Sequence, residues 1–350
     1  MSEKVVVIGG GIAGMESSAY LASQGFDVTL LEKQDRLGGH LLKWHKLFPN
    51  YRNAGEVLQF LEEGVKQKVN IKLNAEIIGI DSLKGEYRVK TRDGEVFEAN
   101  AILLATGFEV FDAHRKEEYG YGIYDNVITS VDLEEKFRNG NEFVNAHGKV
   151  PRRVGFIHCV GSRDEKVGNI YCSRVCCVNA VKQAIEVKQK LPRTEVFCFY
   201  MDMRMFGMNF EEMYKEAQEK YGINFVRGRL SEASEDINGQ VILKVEDTLV
   251  GRPLKLQADL LVLMVGMVPS EGTRKISQML GLETESSGFL AGRDDHTSSN
   301  TTGRQGIFTA GTCTSPKSIH DTMADARSAA VQIAAYLKGH PIANRQIAAL

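Results

Sequence analysis

Four of the six cysteines in this 350-residue chain fall between Cys159 and Cys177, spaced C-x12-C-x3-C-C. The thiolate is the form of cysteine that ligates metals and attacks disulfides, so a cluster of this density points to metal or redox chemistry. If a helix begins near residue 172, Cys172 and Cys176 share a face at i and i+4, and Cys177 lies about 100° further round. Cys159 ends the apolar run VGFIHC and faces the same turn. The helix N-terminus, Arg163 and Arg174 would favour thiolates there. Four thiolates without an obvious histidine fit an iron–sulfur cluster or a structural zinc, although zinc more often uses paired C-x2-C units. A Cys176–Cys177 redox disulfide and plain packing as small buried hydrophobes stay open as alternatives. His158 reads as an ordinary satisfied strand residue, and Cys198 and Cys313 stand alone.

A second chemical stretch opens the chain. Gly9-Gly10-Gly11-Ile12-Ala13-Gly14 satisfies G-x-G-x-x-G between an apolar run, KVVVI, and a helical pattern ending at Gly25. Glu32 closes the next strand, DVTLL, eighteen residues after Gly14. In such a unit the first glycine permits a tight turn and the second lets backbone approach a pyrophosphate. The third allows close helix–strand packing, and the acid accepts ribose hydroxyls. The phosphates would sit on the helix N-terminus. Two further strand-to-turn stretches, AILLATG (101–107) and GIFTAG (306–311), resemble flavoprotein turns.

The elements that must carry these residues alternate strand and helix. After 4–8, 12–25 and 27–31 come strands at 154–159, 195–201 and 223–228, with helices over VNAVKQAIEVKQKL and NFEEMYKEAQEKYG. A hairpin-like pair, QVILKVED and PLKLQADLLVLMV, follows. The fold class is α/β with two Rossmann-like dinucleotide-binding domains, the second inserted in the first. The expected limits are 1–130 and 290–350 for the first dinucleotide-binding domain and 131–289 for the inserted domain carrying the cysteines. In that second domain the first turn reads Cys159-Val160-Gly161-Ser162-Arg163, so the nicotinamide fingerprint is missing. Asp202 stands where an NAD ribose acid would, which proves little without the glycines. Five methionines in MDMRMFGMNFEEM read as core or partner surface rather than a metal box.

Lys and Arg number 43 against 45 Asp and Glu, a net charge of −2, which argues against nucleic acid as a partner. The N-terminus lacks a targeting pattern, and the longest apolar run, Leu260–Val268, is too short for a transmembrane segment. A cytoplasmic location is therefore expected, where structural disulfides are rare.

Seven stretches together resemble the A-type chains of the heterodisulfide reductases: GGGIAGMESS, EKQDRLGGHL, YGYGIYDNVITS, GFIHCVGSRD, YCSRVCC, YMDMRMFG and AGTCTSPKSI. The resemblance implies a glutathione-reductase-like flavoprotein fold with FAD, and a [4Fe–4S] cluster on Cys159, Cys172, Cys176 and Cys177. It places Gly39, His40 and Leu41 near the pyrophosphate and isoalloxazine, and brings Ala105, Thr106 and Gly107 to the FAD. Lys33, Ile78, Gly311, Thr312, Ser318 and Ile319 complete the expected cofactor contacts. Thr312 stands where many flavoproteins carry an aspartate. Lys317 is the expected catalytic residue, its ammonium stabilising a reduced anionic flavin; the alternative is a solvated lysine.

Long family members carry ferredoxin-type cysteine runs and cysteines near the stretch that here reads HKLFPNYRNAGEV, and this chain has neither. That pattern resembles the short form found in the heterodisulfide-reductase-like complex of sulfur oxidisers. The implied partners are heterodisulfide-reductase-like chains of B type and C type, a lipoate-binding protein acting indirectly, and a second copy in a homodimer. Electrons would be relayed or bifurcated among these partners, with NAD as a further acceptor. Alternatives are the A-type chain of a quinone-interacting oxidoreductase, a free-standing NAD(P)H-dependent flavin disulfide oxidoreductase using Cys176 and Cys177, and a scaffold retaining FAD alone.

Overall fold

Two five-stranded parallel sheets organise the chain, one in each of two units. The computed structural model describes residues 2–83, 86–140 and 142–339. The first unit takes its residues from Met1–Leu42, Gly55–Glu109 and Val268–Leu350, the second from Lys43–Ala54 and Val110–Met267. Residues 110–130, expected in the first domain, thus lie in the second unit, and residues 268–289, expected in the second, lie in the first.

In the first unit the strands run Ile307–Thr309, Ala101–Leu104, Lys4–Ile8, Asp27–Leu31 and Asn70–Lys72 across the sheet. Val5 pairs with Val28 on one side and Ala101 on the other, so Lys4–Ile8 is central. A parallel strand covered on both faces needs apolar residues throughout, which is why VVVI and AILL do not alternate. The helices Ile12–Ser23 and Ile319–Leu337 pack together through small residues, and Ser17 Oγ donates to the Ala326 carbonyl at 2.9 Å. An antiparallel sheet of Ile77–Leu83, Glu86–Thr91 and Val96–Ala99 completes the unit.

The second unit repeats the plan. Its parallel sheet has the order Val127–Thr129, Leu260–Val265, Arg153–Val160, Glu195–Tyr200, Asn224–Arg227. Its antiparallel sheet comprises Leu230–Glu235, Val241–Asp247 and Arg252–Ala258. The hairpin expected over 240–265 is therefore half right. Arg252–Ala258 pairs with Val241–Asp247, but Leu260–Val265 leaves the hairpin to insert between Val127–Thr129 and Arg153–Val160. The helix Cys176–Lys190 covers this sheet and buries most of its length in the core with Phe156, Val262 and Cys198.

Among the described residues no helix is long and apolar enough to cross a membrane.

Candidate functional site

In the first unit the chain turns from Lys4–Ile8 into Ile12–Ser23 through the glycine fingerprint. Gly9 adopts φ +111°, and a Cβ there would lie 2.3 Å from the Ala105 carbonyl oxygen. A Cβ on Gly14 would lie 1.8 Å from the Gly9 carbonyl oxygen, so helix and strand approach closely only because both residues are glycine. Gly11 is different: a Cβ there would meet nothing within 4 Å, which leaves open space over the turn. The helix begins at Gly11 without a side-chain cap and without an acidic residue in its first turn. Its first amides and dipole are thus available to an anion.

Around this turn the structure gathers most of the expected residues. Gly39 sits with its Cβ position 3.3 Å from Gly11 Cα, Gly311 stands against Ala13, and Gly107 faces Thr312 Oγ1. Thr106 Oγ1 shares a hydrogen bond with Thr273 Oγ1 at 2.6 Å. Leu41 is buried, and His40 stacks on Phe108 at 4.0 Å while its Nε2 meets the Phe108 carbonyl at 2.8 Å. Ser318 caps the last helix through a capping box with Asp321, and Ile319 is that helix's first residue. Lys33 is exposed beside Glu32, and Ile78 stands half-exposed at a bulge of the antiparallel sheet.

Two acids do more than the sequence suggested. Glu32, expected to bind ribose, accepts from the backbone amides of Gly10 at 2.6 Å and Gln34 at 2.8 Å. A carboxylate has about four acceptor sites, so this bracing of the glycine turn leaves capacity for a hydroxyl. Asp325 was not foreseen. It accepts from Gly311 N at 2.7 Å and from Asn300 Nδ2 at 2.8 Å, and lies 3.6 Å from Lys317 Nζ. The negative charge missing at Thr312 is thus supplied from the last helix, onto the amide of the same turn. Lys317 turns inward: Nζ donates to the Gly311 carbonyl at 3.1 Å, to Ser315 Oγ at 3.0 Å and to Thr314 Oγ1. These contacts fix the turn and occupy the ammonium expected to face a flavin.

In the second unit the strand Arg153–Val160 runs at the centre of its sheet toward the helix Cys176–Lys190. Its neighbours are Glu195–Tyr200 on one side and Leu260–Val265 on the other. In open α/β sheets such a switch in strand order is where ligands bind. Cys159 is the penultimate residue of this strand, and Cys176 and Cys177 open the helix. Cys159, Arg163 and Arg174 all adopt left-handed backbone, with φ of 60°, 53° and 60°. Each such non-glycine residue costs on the order of 1–3 kcal/mol and persists where the surroundings impose it. Gly161 cannot be larger, because a Cβ would lie 2.0 Å from the Phe111 ring.

Cys159 and Cys176 are buried with sulfurs 4.0 Å apart. Cys177 is buried and donates to the Asp202 carbonyl at 3.6 Å. Cys172 is half-buried, its sulfur accepting from Arg174 N at 3.3 Å. Each sulfur takes the local hydrogen bond open to a thiol, and among the described residues no three ligating side chains converge on one point. The hydrogen bond from Cys176 and then the nearby His158 ring, which lies beside the sulfur without closing a hydrogen bond to it, act against burial to hold Cys177 down to about 4. Cys159 is also lowered, first by Cys176, while Cys176 is pushed well above the ordinary thiol value by its two neighbours and by burial.

Buried nitrogens of two side chains in this pocket make no hydrogen bond. His158 is 6% exposed, and neither ring nitrogen makes a hydrogen bond; Arg163 Nη1 is buried and equally unpaired. Leaving a buried donor unsatisfied costs about 1–3 kcal/mol. The pocket thus combines four thiols with two orphaned nitrogen donors, a lining suited to an anionic, sulfur-rich group. Asp202 is not free for a ribose, since Arg163 Nη2 binds it at 2.7 Å. His158 was misjudged as satisfied.

The pattern of the pyridine nucleotide-disulphide oxidoreductases matches residues 3–142 and 195–332. The chain belongs to that family. The matched stretches of this oxidoreductase flank residues 143–194, which hold Cys159, Cys172, Cys176 and Cys177. It is 32% identical to the A-type chain of the H(2):CoB-CoM heterodisulfide,ferredoxin reductase of Methanothermobacter thermautotrophicus, over 95% of this chain and 64% of that one. It is 33% identical to the A-type iron-sulfur chain of the CoB--CoM heterodisulfide reductase of Methanocaldococcus jannaschii, over 94% and 64%. The chain therefore spans less than two thirds of these relatives. The crystal structure of T. acidophilum thioredoxin reductase matches with a TM-score of 0.66 and 19% identity, covering 97% of this chain and 99% of that one. The expected likeness to the A-type chains of heterodisulfide reductases and the two-domain flavoprotein fold are both borne out.

Proposed function

We propose that this oxidoreductase is an electron-transfer component holding FAD in its first unit and a [4Fe–4S] cluster in its second. The observation that carries the reading is the cysteine pocket at the switch point of the second sheet, with its two orphaned nitrogen donors. Cys159, Cys172, Cys176 and Cys177 would hold the cluster, which supplies one-electron chemistry when bound. In the first unit Gly9 and Gly14 let the turn and helix close up, Gly11 leaves room for a pyrophosphate, and Ile12 and Ala13 present amides to it. Glu32 braces the turn while accepting ribose, and Asp325 and Lys317 hold the Gly311–Thr312 turn. The whole chain would work within a heterodisulfide-reductase-like complex of cytoplasmic sulfur oxidation, with B-type and C-type partners and a lipoate-bound sulfur substrate. The alternative of a Cys176–Cys177 disulfide is less well supported, because consecutive residues of a helix point about 100° apart.

The deciding experiment is iron, acid-labile sulfide and flavin per chain on anaerobically prepared protein, with electron paramagnetic resonance after dithionite reduction. About four iron and one FAD with a reduced-cluster signal are expected. Flavin without iron or sulfide after reconstitution would return the cysteines to thiol chemistry.

A further inference from the structure

The strand Arg153–Val160 is irregular where chemistry would be. Its pairing with Leu260–Val265 shifts register between Ile157 and Val160, so His158 and Cys159 form a bulge. Consecutive strand residues ordinarily point to opposite faces, and bulges re-aim side chains beside functional sites. Left-handed Cys159 at φ 60° completes the break in alternation. The result is a buried imidazole next in sequence to Cys159 whose nitrogens close no hydrogen bond, while the ring lies near enough to the Cys177 sulfur to lower that thiol. Its nearest ring is Tyr200, with centroids 6.4 Å apart and tilted, which gives neither nitrogen a partner. Arg163 Nη1 is orphaned in the same pocket.

A buried neutral imidazole has one N–H donor and one acceptor, and native proteins rarely leave both idle. The chemistry that satisfies the donor is an anionic sulfur. We propose that His158 is a positioning residue that donates a hydrogen bond to a sulfur of the cluster bound by the four cysteines, without ligating iron. The proposal rests on the cluster reading above. An electron entering the cluster adds negative charge to its sulfurs, and a donor hydrogen bond stabilises that charge; His158 thereby favours the reduced form. Arg163, held by Asp202 through its other nitrogen, acts in the same sense.

The test compares wild type with His158→Leu and His158→Gln, measuring iron and sulfide content and the cluster potential by dithionite titration followed by electron paramagnetic resonance. His158→Leu is expected to keep its iron and to shift the reduction equilibrium about tenfold toward the oxidised form, 59 mV lower for a one-electron couple. His158→Gln, which retains an N–H, should recover at least half of that shift. A parallel pulsed resonance measurement on reduced wild type with 15N-labelled histidine should show one weakly coupled nitrogen. Unchanged potential in His158→Leu or no histidine coupling overturns the proposal. So does iron loss or strong coupling, because either makes His158 a ligand. Wild type without iron and sulfide overturns the cluster reading itself, an outcome distinct from any of these.

Discussion

Replacing Lys182 by methionine should unfold the second unit at a markedly lower temperature. Lys182 is fully buried, and its Nζ meets Glu186 Oε2 at 2.9 Å, the Lys46 carbonyl at 3.0 Å and Glu134 Oε1. Glu134 is fully buried and Glu186 nearly so. Their remaining oxygens hold the excursion Lys43–Ala54, through His45 N at 2.9 Å and His45 Nδ1 at 2.9 Å. Methionine matches the length of the lysine stem but removes the cation, leaving two carboxylates in the core without their ammonium. Breaking a buried ion pair from one side costs about 3–5 kcal/mol. At roughly 2–4 °C per kcal/mol for a unit of this size, Tm should fall by about 6–20 °C. The assay is thermal unfolding by circular dichroism at pH 7, with limited trypsinolysis to detect release of residues 43–54. The control is Lys220→Met, which removes an exposed pair with Glu216 at 2.7 Å and should change stability by less than about 1 kcal/mol. Adding Glu134→Gln to Lys182→Met should restore part of the loss, because one of the stranded charges is gone. Equal Tm values for the Lys182 and Lys220 variants would refute the reasoning.

Cys172→Ser should abolish cluster assembly while leaving flavin bound; a variant with full iron would remove Cys172 from the ligand set. Gly14→Ala puts a methyl 1.8 Å from a backbone oxygen, so the helix must move, and flavin affinity should drop by at least about tenfold, roughly 1.4 kcal/mol. Fluorescence titration of apoprotein measures this. Burial raises the Asp164 carboxyl, but Lys116 at 2.8 Å and Arg229 at 2.9 Å outweigh it and hold it below the usual range. Its folded value being depressed, Asp164 contributes stability above the unfolded value near about 4, lost as pH falls through the folded one. A series of Tm values from pH 7 to pH 2 should therefore decline more steeply in wild type than in Asp164→Asn.

The first nucleotide turn was legible because it is local: strand, glycines, helix and Glu32 all lie between Lys4 and Glu32, and Gly9 and Gly14 have a steric reason. The cysteine cluster was legible for the same reason, but the helix starts at Cys176 rather than near 172, so Cys172 lies in the preceding loop and shares no helical face with Cys176. Leu260–Val265 was misread because a strand buried on both faces shows a continuous apolar run, which joined without a break to the hairpin arm before it. Asp325 left no signal, being one acid in a long helical pattern that only the fold brings to Gly311. His158 was misjudged because strand alternation assumes regular pairing, and a bulge is set by the partner strand rather than by neighbours in sequence. The excursion Lys43–Ala54 carries no periodicity to reveal that it belongs with Lys182.

The same architecture appears twice in this chain, a parallel sheet of five strands with an antiparallel sheet of three, and the two copies differ at the joint between the central strand and the helix that follows it. One copy offers bare backbone amides there, the other thiols and a crowded glycine. On the proposed reading, that exchange changes the arithmetic of the electrons. A flavin at the first joint trades them in pairs or singly, whereas iron and sulfur at the second trade only one at a time. The modified copy would then act as a divider, converting a two-electron event into single deliveries and giving up the nucleotide that its scaffold was shaped to seat.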